Sequence, residues 1–338
     1  MSEPSPKRTK SGLWVAIGAA VMLAGVALAV WPGLRTSMAD SASSLTPAKI
    51  DGARAYGYLQ AICKIGPRPA GSAANTRQRE YVAKHFRDQG GTVREQPFSG
   101  VDPVSGQPVR MVNLIGSWFP ERTDRVVLGV HYDTRPFPDE DPDPANRRAP
   151  FIGANDGASG VALLMEIAHH LKDSKTPWGV DLVLFDGEEL VYGPGQDYVG
   201  EFFLGSKAFA RAYAQSRRNP TKTTPRYSAA IVLDMVGDKD LAIDQEQYSL
   251  EYAPKLVRDV WSVAKALKVT QFRDRVGRAV SDDHLPLYAN GIPAIDVIDF
   301  DYPHWHTAQD LPDKCSAASL EAVGKVITAW LNKPKPRR

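Results

Sequence analysis

The stretch RVVLGVHYD, residues 125–133, joins an apolar run to a polar end, and this combination predicts the fold. Residues 125–130 are almost wholly apolar without alternation, which is typical of a strand that is buried on both faces. His131 and Asp133 follow this run at once. Because α/β sheets bind ligands beyond the carboxyl ends of their strands, we expect functional side chains at this edge.

Outward from this stretch, apolar strand patterns alternate with helical patterns along the chain. Further strands are predicted at residues 180–185, 229–233 and 292–298. Apolar residues at helical spacing predict helices at 156–171, 206–215, 253–267 and 316–331. This alternation favours an α/β fold with a mostly parallel twisted sheet and helices on both faces. No internal repeat or change in composition interrupts it, so we predict one domain over residues 47–334.

The composition is that of an ordinary folded protein and gives no support to a nucleic-acid partner. Of the 338 residues, 43% are hydrophobic and 24% are charged, and the net charge is +2. Much of the basic excess lies in two tips, residues 7–10 and 333–338. The body between them is close to neutral, so the basic surface of a nucleic-acid-binding protein is missing.

The two cysteines, Cys63 and Cys315, are far apart in the sequence. Without a CxxC motif they exclude a cysteine-based zinc finger. The sequence leaves two alternatives open, one disulfide in an exported domain or two buried free thiols, because it does not place their Cα atoms within bridging distance.

The N-terminal region predicts the compartment. Residues 12–34 are uncharged and mostly apolar, and about 20 such residues span a bilayer core of about 30 Å. The basic residues 1–11 would stay on the cytoplasmic side, and residues 35–46 would form a linker. A cleaved signal peptide is the alternative, although its apolar part is usually about 7–15 residues. We therefore expect a membrane-anchored protein whose domain is exported to a periplasm or the extracellular medium, or a secreted protein if the segment is cleaved.

Further acidic and imidazole residues follow the predicted strands or open a helix, as His131 follows the first strand. They are Asp156 at the head of the helix at 156–171, Glu188 and Glu189 after the second strand, Asp234 after the third and His306 after the fourth. The topology brings these groups to one edge of the sheet. We therefore expect one site to contain them all.

Each of these residues alone has an ordinary explanation. An aspartate at a helix start usually caps the helix, paired glutamates are commonly solvated, and a lone histidine is commonly structural. Several carboxylates at one edge, however, would repel one another and raise their pKa values. A divalent cation relieves this repulsion, and mixed imidazole and carboxylate ligands favour zinc.

The adjacent pair Glu188 and Glu189 indicates a division of labour. Neighbouring side chains of an extended segment point to opposite sides, so both are unsuited to binding one ion symmetrically. One glutamate can bind the metal while the other acts as general base and then general acid.

These motifs together resemble the M28-type zinc aminopeptidase superfamily, which includes the animal-type glutaminyl cyclases (glutaminyl-peptide cyclotransferases). The motifs are HYD at 131–133, GANDGASG at 153–160, DGEE at 186–189, LDM at 233–235 and WHT at 305–307. The resemblance runs from about residue 52 to the predicted C-terminal helix. It therefore covers nearly the whole predicted domain.

The resemblance implies a role for each residue of the site. Asp156, Glu189 and His306 correspond to the zinc ligands, and Glu188 corresponds to the catalytic proton carrier. Spacing alone leaves His304 open as a ligand in place of His306, and the resemblance chooses His306.

The resemblance also bears on the number of metal ions. Two-zinc aminopeptidases have further ligands that correspond to His131 and Asp234. One zinc ion is therefore expected, and a second is possible.

Several features are more similar to the cyclases than to the peptidases. The interval after the glutamate pair is long, and residues 281–286, SDDHLP, are similar to a cyclase stretch whose first aspartate matches Asp282. The resemblance thus implies a catalytic role for Asp282. Trp305 precedes the metal histidine and Tyr302 falls where cyclases have Phe, which implies that both line the substrate pocket. An indole that cyclases carry after the glutamate pair is missing here.

The resemblance implies a zinc-dependent catalytic domain that acts on the N-termini of peptides or proteins. A cyclase would convert N-terminal Gln to pyroglutamate with release of ammonia. The alternative is an M28 zinc aminopeptidase that hydrolyses N-terminal residues. A non-catalytic binding protein with the same fold is a third hypothesis, which the presence of Glu188 and all the zinc ligands disfavours.

Overall fold

The computed structural model describes residue 45, residues 47–191 and residues 200–335. The strands are β1 (Thr92–Val101), β2 (Pro108–Trp118), β3 (Asp124–His131), β4 (Gly179–Phe185), β5 (Arg226–Asp234), β6 (Ile243–Gln245), β7 (Phe272–Val276) and β8 (Ala294–Ile298). The helices are α1 (Gly52–Cys63), α2 (Ala73–Asp88), α3 (Ala158–Leu171), α4 (Leu204–Arg218), α5 (Gln247–Tyr252), α6 (Pro254–Ala266), α7 (His284–Ala289) and α8 (Ala317–Leu331). Two short 3₁₀ turns lie at Pro144–Asn146 and Pro312–Lys314.

The main sheet has six strands in the order β1-β2-β4-β3-β5-β8. Strands β4, β3, β5 and β8 are parallel, while β2 is antiparallel to β4 and β1 is antiparallel to β2. The sheet is therefore mixed, with a parallel part and an antiparallel edge that the sequence reading did not identify. A short turn that joins β1 to β2 makes the antiparallel pairing possible, whereas parallel neighbours need a longer crossover.

Helices cover both faces of the sheet, as predicted. Along β3, Val126, Leu128 and Val130 belong to the larger core, which also contains residues of α1, α2, α3, α6 and α8. Val127 points to the opposite face and packs in a smaller core with residues of α4 and α7. This is the period-two alternation of a strand that is buried on both sides. The α/β prediction from residues 125–130 is confirmed.

Two glycines explain why α3 packs so closely against the end of the sheet. Gly157, the N-cap of α3, has φ +91°, and a Cβ there would lie 2.7 Å from the carbonyl oxygen of Asp133. A Cβ at Gly160 would lie 2.4 Å from the carbonyl oxygen of Leu233. Both contacts exclude any side chain, so the glycines of GANDGASG let the helix start next to the ends of β3 and β5.

Within the described residues, no helix is long and apolar enough to cross a membrane. The predicted membrane segment at 12–34 lies outside the described residues, as does the linker at 35–46 except for Leu45. Both therefore stay predictions.

A buried ion pair fastens the edge of the sheet where the parallel strands begin. Arg125 on β3 donates to Asp181 on β4, and the shortest distance, from Nη2 to Oδ1, is 2.6 Å. Only 6% and 4% of the two side chains are exposed. The Arg125 guanidinium also donates to carbonyl oxygens of Trp118, Phe119, Arg122 and Val180.

We expect Asp181→Ala to lower the free energy of unfolding by about 3–5 kcal/mol, because it leaves the Arg125 charge buried and unpaired. Asp88→Ala is the matched control, since Lys84 and Asp88 form an ion pair at 2.6 Å whose side chains are 75% and 53% exposed. This change should cost less than about 1 kcal/mol. Urea unfolding of both variants makes the comparison. Equal losses would contradict the assignment of Arg125 as a buried structural charge.

Candidate active site

The residues predicted to form one site lie together at the carboxyl edge of the parallel strands. His131 ends β3 and Asp234 ends β5. Asp156 lies just before α3, and the glutamate pair follows β4. His306 lies beyond β8 in a loop, with a left-handed φ of +53°. The topology thus delivers side chains from four strand ends to one place.

Asp156, Glu189 and His306 form the first group of potential metal ligands. His306 Nε2 lies 2.9 Å from Glu189 Oε1 and 3.4 Å from Asp156 Oδ2. All three side chains are buried. His304, the open alternative, is not part of this group.

His131, Asp156 and Asp234 form a second group, which shares Asp156 with the first. His131 Nε2 lies 3.1 Å from Asp156 Oδ1 and 3.1 Å from Asp234 Oδ1. One oxygen of Asp156 therefore faces each histidine. This is the arrangement of a carboxylate that can serve two neighbouring ions.

These residues fit zinc on several grounds. Ligand atoms about 2.0 Å from a tetrahedral zinc lie about 3.3 Å from one another, and the distances of 2.9–3.4 Å here are close to that spacing. The buried Oδ2 of Asp156 has no hydrogen-bond partner in the part of the chain that the structure describes. Imidazole and carboxylate together are a ligand set that zinc favours.

The electrostatics of the site also favour a cation. Burial lowers the pKa of His306, but the carboxylates of Glu189 and Asp156 outweigh it and raise this pKa to about 9. Burial also lowers the pKa of His131, but Asp234 and Asp156 face its ring and raise this pKa well above its usual value. The carboxylates thus stabilise positive charge at both histidines.

A further set of buried residues holds the first group in place. The second oxygen of Glu189 accepts a hydrogen bond of 2.6 Å from Arg135 Nη1. Asp133 accepts the backbone N–H groups of Glu188 and Glu189 at 3.1 and 3.0 Å. These contacts orient the glutamate pair from behind, which is the usual task of residues around a metal site.

The loop before α3 is held in a similar way by Asp310. Its carboxylate accepts the backbone N–H groups of Asn155 and Asp156 at 2.8 and 3.1 Å. The Tyr302 hydroxyl donates to Asp310 Oδ1 at 2.8 Å. Tyr302 therefore supports the metal ligands through Asp310.

A cavity of about 470 Å³ opens over the potential metal ligands. Glu188, Asp282 and Trp305 line it, as the resemblance implies. Tyr302 is not one of the lining residues, and Phe300 takes the expected position instead, with its ring centroid 5.2 Å from that of Trp305. The loop that ends at His306 turns Phe300 into the cavity and Tyr302 toward Asp310. The predicted pocket role of Tyr302 is corrected in this respect.

Much of the remaining cavity wall is apolar, and the sequence patterns did not predict this. Besides Phe300, this apolar part includes Phe202, Phe203, Val280 and Ile298. The pair Phe202 and Phe203 directly precedes α4, and Phe203 has an unusual left-handed φ of +61°. Apolar residues before a helix give no signal that distinguishes a pocket wall from a core. The segment 192–199, where the missing indole would be sought, lies outside the described residues.

Glu188 is the carboxylate best suited to carry a proton in this cavity. Its side chain is largely buried, and burial together with the neighbouring charge of Glu189 raises its pKa well above the usual value. A carboxyl group with a raised pKa can exchange a proton near neutral pH. Its backbone is fixed by Asp133, so the side chain has a defined position.

Asp282 lies next to further buried carboxyl groups. Burial and the adjacent Asp282 charge raise the pKa values of Asp283 and Asp296 well above the usual range. Asp282, His284 and Asp296 form a third group of potential metal ligands, whose ligand atoms lie within 4.8 Å of one another. The backbone N–H of Asp283 donates to Asp282 Oδ1, and this contact fixes the Asp282 carboxylate at the cavity surface.

The two cysteines are both buried and free in the structure. Burial raises the pKa of the Cys63 thiol to about 12. Of the two alternatives, the structure thus has the buried thiols and no disulfide. Neither thiol lines the cavity.

The sequence profile of peptidase family M28 matches residues 113–331, more than half of the chain. The chain belongs to peptidase family M28. The matched region includes every residue of the two potential metal groups, and the resemblance that the motifs indicated is confirmed.

Within the M28 family, the relatives include both cyclases and peptidases. A glutaminyl cyclase from Fimbriiglobus ruber is 40% identical, with a TM-score of 0.82 over 86% of this chain and 97% of that one. A Zn-dependent exopeptidase from Parabacteroides distasonis is 32% identical, with a TM-score of 0.77 over 86% of this chain and all of that one. The glutaminyl-peptide cyclotransferase of Drosophila melanogaster is 26% identical over 294 residues, 79% of this chain and 77% of that protein.

Proposed function

We propose that this M28 protein is a zinc-dependent glutaminyl-peptide cyclotransferase, which converts N-terminal Gln of peptides to pyroglutamate and releases ammonia. One observation carries the proposal. A buried carboxylate, Glu188, lies beside the potential zinc ligands at the floor of a small cavity with aromatic walls. The 40% identity to a glutaminyl cyclase over 97% of that protein supports it.

Asp156, Glu189 and His306 would hold the zinc ion of this site. Bound zinc acts as a Lewis acid that polarises a carbonyl oxygen. His131 and Asp234 are the candidates for holding a second ion together with Asp156. Arg135 and Asp310 keep the ligands in position whether one or two ions bind.

Glu188 moves the proton in the reaction. The α-amine nitrogen of the substrate forms a bond to the side-chain amide carbon of its own Gln, and the bond from that carbon to the amide nitrogen breaks. Glu188 takes a proton from the α-amine as it attacks and passes it to the departing nitrogen, which leaves as ammonia. A single carboxyl group with a raised pKa can serve as base and then as acid.

The remaining residues of the cavity orient the substrate and limit water. The carboxylates of Asp282 and Asp234 line the cavity, where they can accept hydrogen bonds from the neutral α-amine and orient it for attack. The rings of Trp305, Phe300 and Phe202 enclose the Gln side chain and exclude water that would hydrolyse it. Held in this way, the amine of the substrate is the nearest nucleophile, so ring closure is favoured over hydrolysis.

A product assay tests the proposal. The purified full-length chain is incubated with zinc and a Gln-initiated peptide, and in parallel with an ordinary aminoacyl amide, and the products are followed by mass spectrometry. Loss of ammonia without shortening of the peptide is the expected result. Release of free amino acids would instead assign the M28 aminopeptidase activity.

We also propose that residues 12–34 anchor the protein in a membrane and that the catalytic domain is exported. The support is the sequence: an uncharged apolar segment of bilayer length that follows basic residues. Protease added outside intact cells or spheroplasts should digest the domain. A domain that is protected until the membrane is disrupted would contradict this proposal.

Substitutions of Phe300 and Tyr302 test separately the cavity wall and the support of the metal ligands. Phe300→Ala removes an apolar wall, so we expect KM for a Gln-initiated peptide to rise about ten-fold with zinc content unchanged. Tyr302→Phe removes the hydroxyl that donates to Asp310, so we expect zinc affinity to fall by about ten-fold or more, with little change in KM at saturating zinc. Steady-state kinetics and metal titration check both. A loss of zinc affinity in Phe300→Ala together with a rise in KM in Tyr302→Phe would contradict the positions of the two rings.

A further inference from the structure

A groove of about 990 Å³ lies at the edge of the sheet opposite the candidate active site. Its walls include Trp178, directly before β4, Ser228 near the start of β5, and Pro293, directly before β8. The candidate active site lies at the other ends of these strands. Tyr252 and Trp330 complete an aromatic lining. The groove is therefore separate from the candidate active site, and it contains none of the three groups of potential metal ligands.

The rim of the groove is basic. Lys255 and Arg258 are exposed and form no salt bridge with a described residue. Lys333 pairs with Asp259, the one carboxylate among the lining residues. Three cations against one anion give the groove a positive charge, so its partner carries negative charge.

The C-terminal residues extend the same surface. Lys335 lies over the ring of Trp178, with Nζ 4.4 Å from the ring centroid, and pairs with Asp124. Aromatic rings together with lysine and arginine are the residues that proteins place at the interface of a membrane.

The described chain also begins on this side of the domain. Ile50 packs against Gly324, and the backbone N–H of Ala48 donates to Thr328 Oγ1 at 3.2 Å. Toward lower residue numbers the chain therefore runs along α8 toward its end, where Trp330 and Lys333 line the groove. Thirteen residues, 35–47, separate Ala48 from the apolar segment at 12–34, and they can extend to at most about 47 Å.

We propose that this groove and its basic rim bind the surface of a membrane that contains anionic lipids. Lysine and arginine side chains are attracted to anionic headgroups, and tryptophan and tyrosine rings fit the headgroup region. The short connection to residues 12–34 favours the lipid surface over a soluble acidic peptide as the occupant. In this position the candidate active site opens away from the lipid, toward peptide substrates. The proposal does not depend on which reaction that site performs.

Fluorescence quenching by lipid tests the proposal on the full-length chain. Ser262 is exposed and lines the groove, and Ser262→Cys accepts a fluorophore while Cys63 and Cys315 are buried. The labelled chain is mixed with vesicles that contain a quencher-labelled phosphatidylcholine, either alone or with an equal part of phosphatidylglycerol. We expect quenching with phosphatidylglycerol to be stronger on the order of five-fold. Substitution of both Lys255 and Arg258 by Glu should reduce it to the level of phosphatidylcholine alone.

The controls distinguish the groove from general membrane attachment. A label introduced through Ser105→Cys, in the exposed turn between β1 and β2 at the active-site edge, should stay unquenched. Charge reversal at Arg217 and Arg218, exposed at the end of α4, should leave the signal of the groove label unchanged. Retained catalytic activity shows that each variant is folded.

Flotation of the vesicles completes the test. A chain that floats with both vesicle types but shows no quenching of the groove label, or equal quenching of both labels, overturns the proposal and leaves the anchor in place. A chain that floats with neither overturns both. A chain that floats only with phosphatidylglycerol, and loses this with the Lys255 and Arg258 reversal, supports the groove and overturns the anchor. An acidic peptide that quenches the groove label where vesicles do not would assign the groove to a soluble partner.

Discussion

Glu188→Gln lowers kcat for cyclisation on the order of 10²–10⁴-fold, the usual contribution of a positioned general acid and base. The substitution keeps the shape of the side chain but removes its ability to accept a proton from the α-amine. Because Glu188 belongs to none of the three groups of potential metal ligands, the zinc content should stay that of the unchanged protein. Steady-state kinetics and elemental analysis of the purified protein measure the two quantities.

Glu201→Gln is the matched control for this prediction. Glu201 is close in sequence to the cavity, but its side chain is 70% exposed and pairs with Lys207 at 3.6 Å. Its kcat should stay within a factor of about two, because exposed ion pairs contribute little. Turnover that survives in Glu188→Gln would refute the proton-carrying role, and loss of zinc in that variant would show that Glu188 is a ligand.

Asp156→Asn removes zinc and activity together, and it tests the metal site most directly. Asp156 is shared by both groups of potential ligands, one oxygen facing His306 and the other His131. We expect a loss of zinc affinity larger than the roughly 10–100-fold that follows loss of a supporting partner. Metal titration and activity measurements check it. A variant that binds zinc as tightly as the unchanged protein would contradict the assignment of Asp156 as a ligand.

Asp234→Asn distinguishes one ion from two. Asp234 belongs to the second group, where it faces His131, and does not belong to the first. If one ion binds at Asp156, Glu189 and His306, the zinc content of this variant stays unchanged. If the second group binds an ion as well, the content falls by one ion per chain while the first ion remains.

The parallel part of the sheet and the position of the site follow from local patterns. The unbroken apolar runs at 125–130, 180–185 and 229–233 predict strands of a parallel sheet, and the polar residues that follow them predict its functional edge. These patterns do not predict the antiparallel strands β1 and β2. Both strands have exposed positions, with mixed polar and apolar residues, so their pattern is weaker than that of the buried strands.

The support behind the metal ligands is a matter of long-range contacts. Arg135 donates a hydrogen bond to Glu189, 54 residues away, and Asp310 accepts one from the backbone N–H of Asp156, 154 residues away. No local pattern marks such partners, because their spacing depends on how the loops pack. The aromatic wall has the same difficulty: Phe300 and Tyr302 differ by two positions, and the turn of their loop determines which ring faces the cavity.

The sequence by itself determined the acidic and imidazole residues at the strand ends and at the helix start, and its resemblance to the M28 superfamily implied which of them bind metal and which carries the proton. The reason is that strand geometry is local, so the end of each apolar run can be located from its own residues. Only the tertiary structure decided that Asp156 is shared between two groups, that Phe300 rather than Tyr302 lines the cavity, and that a basic aromatic groove lies at the opposite edge. These features depend on the packing of segments that are far apart in the chain. Because the free energy of that packing comes from contacts between segments, no single segment determines it.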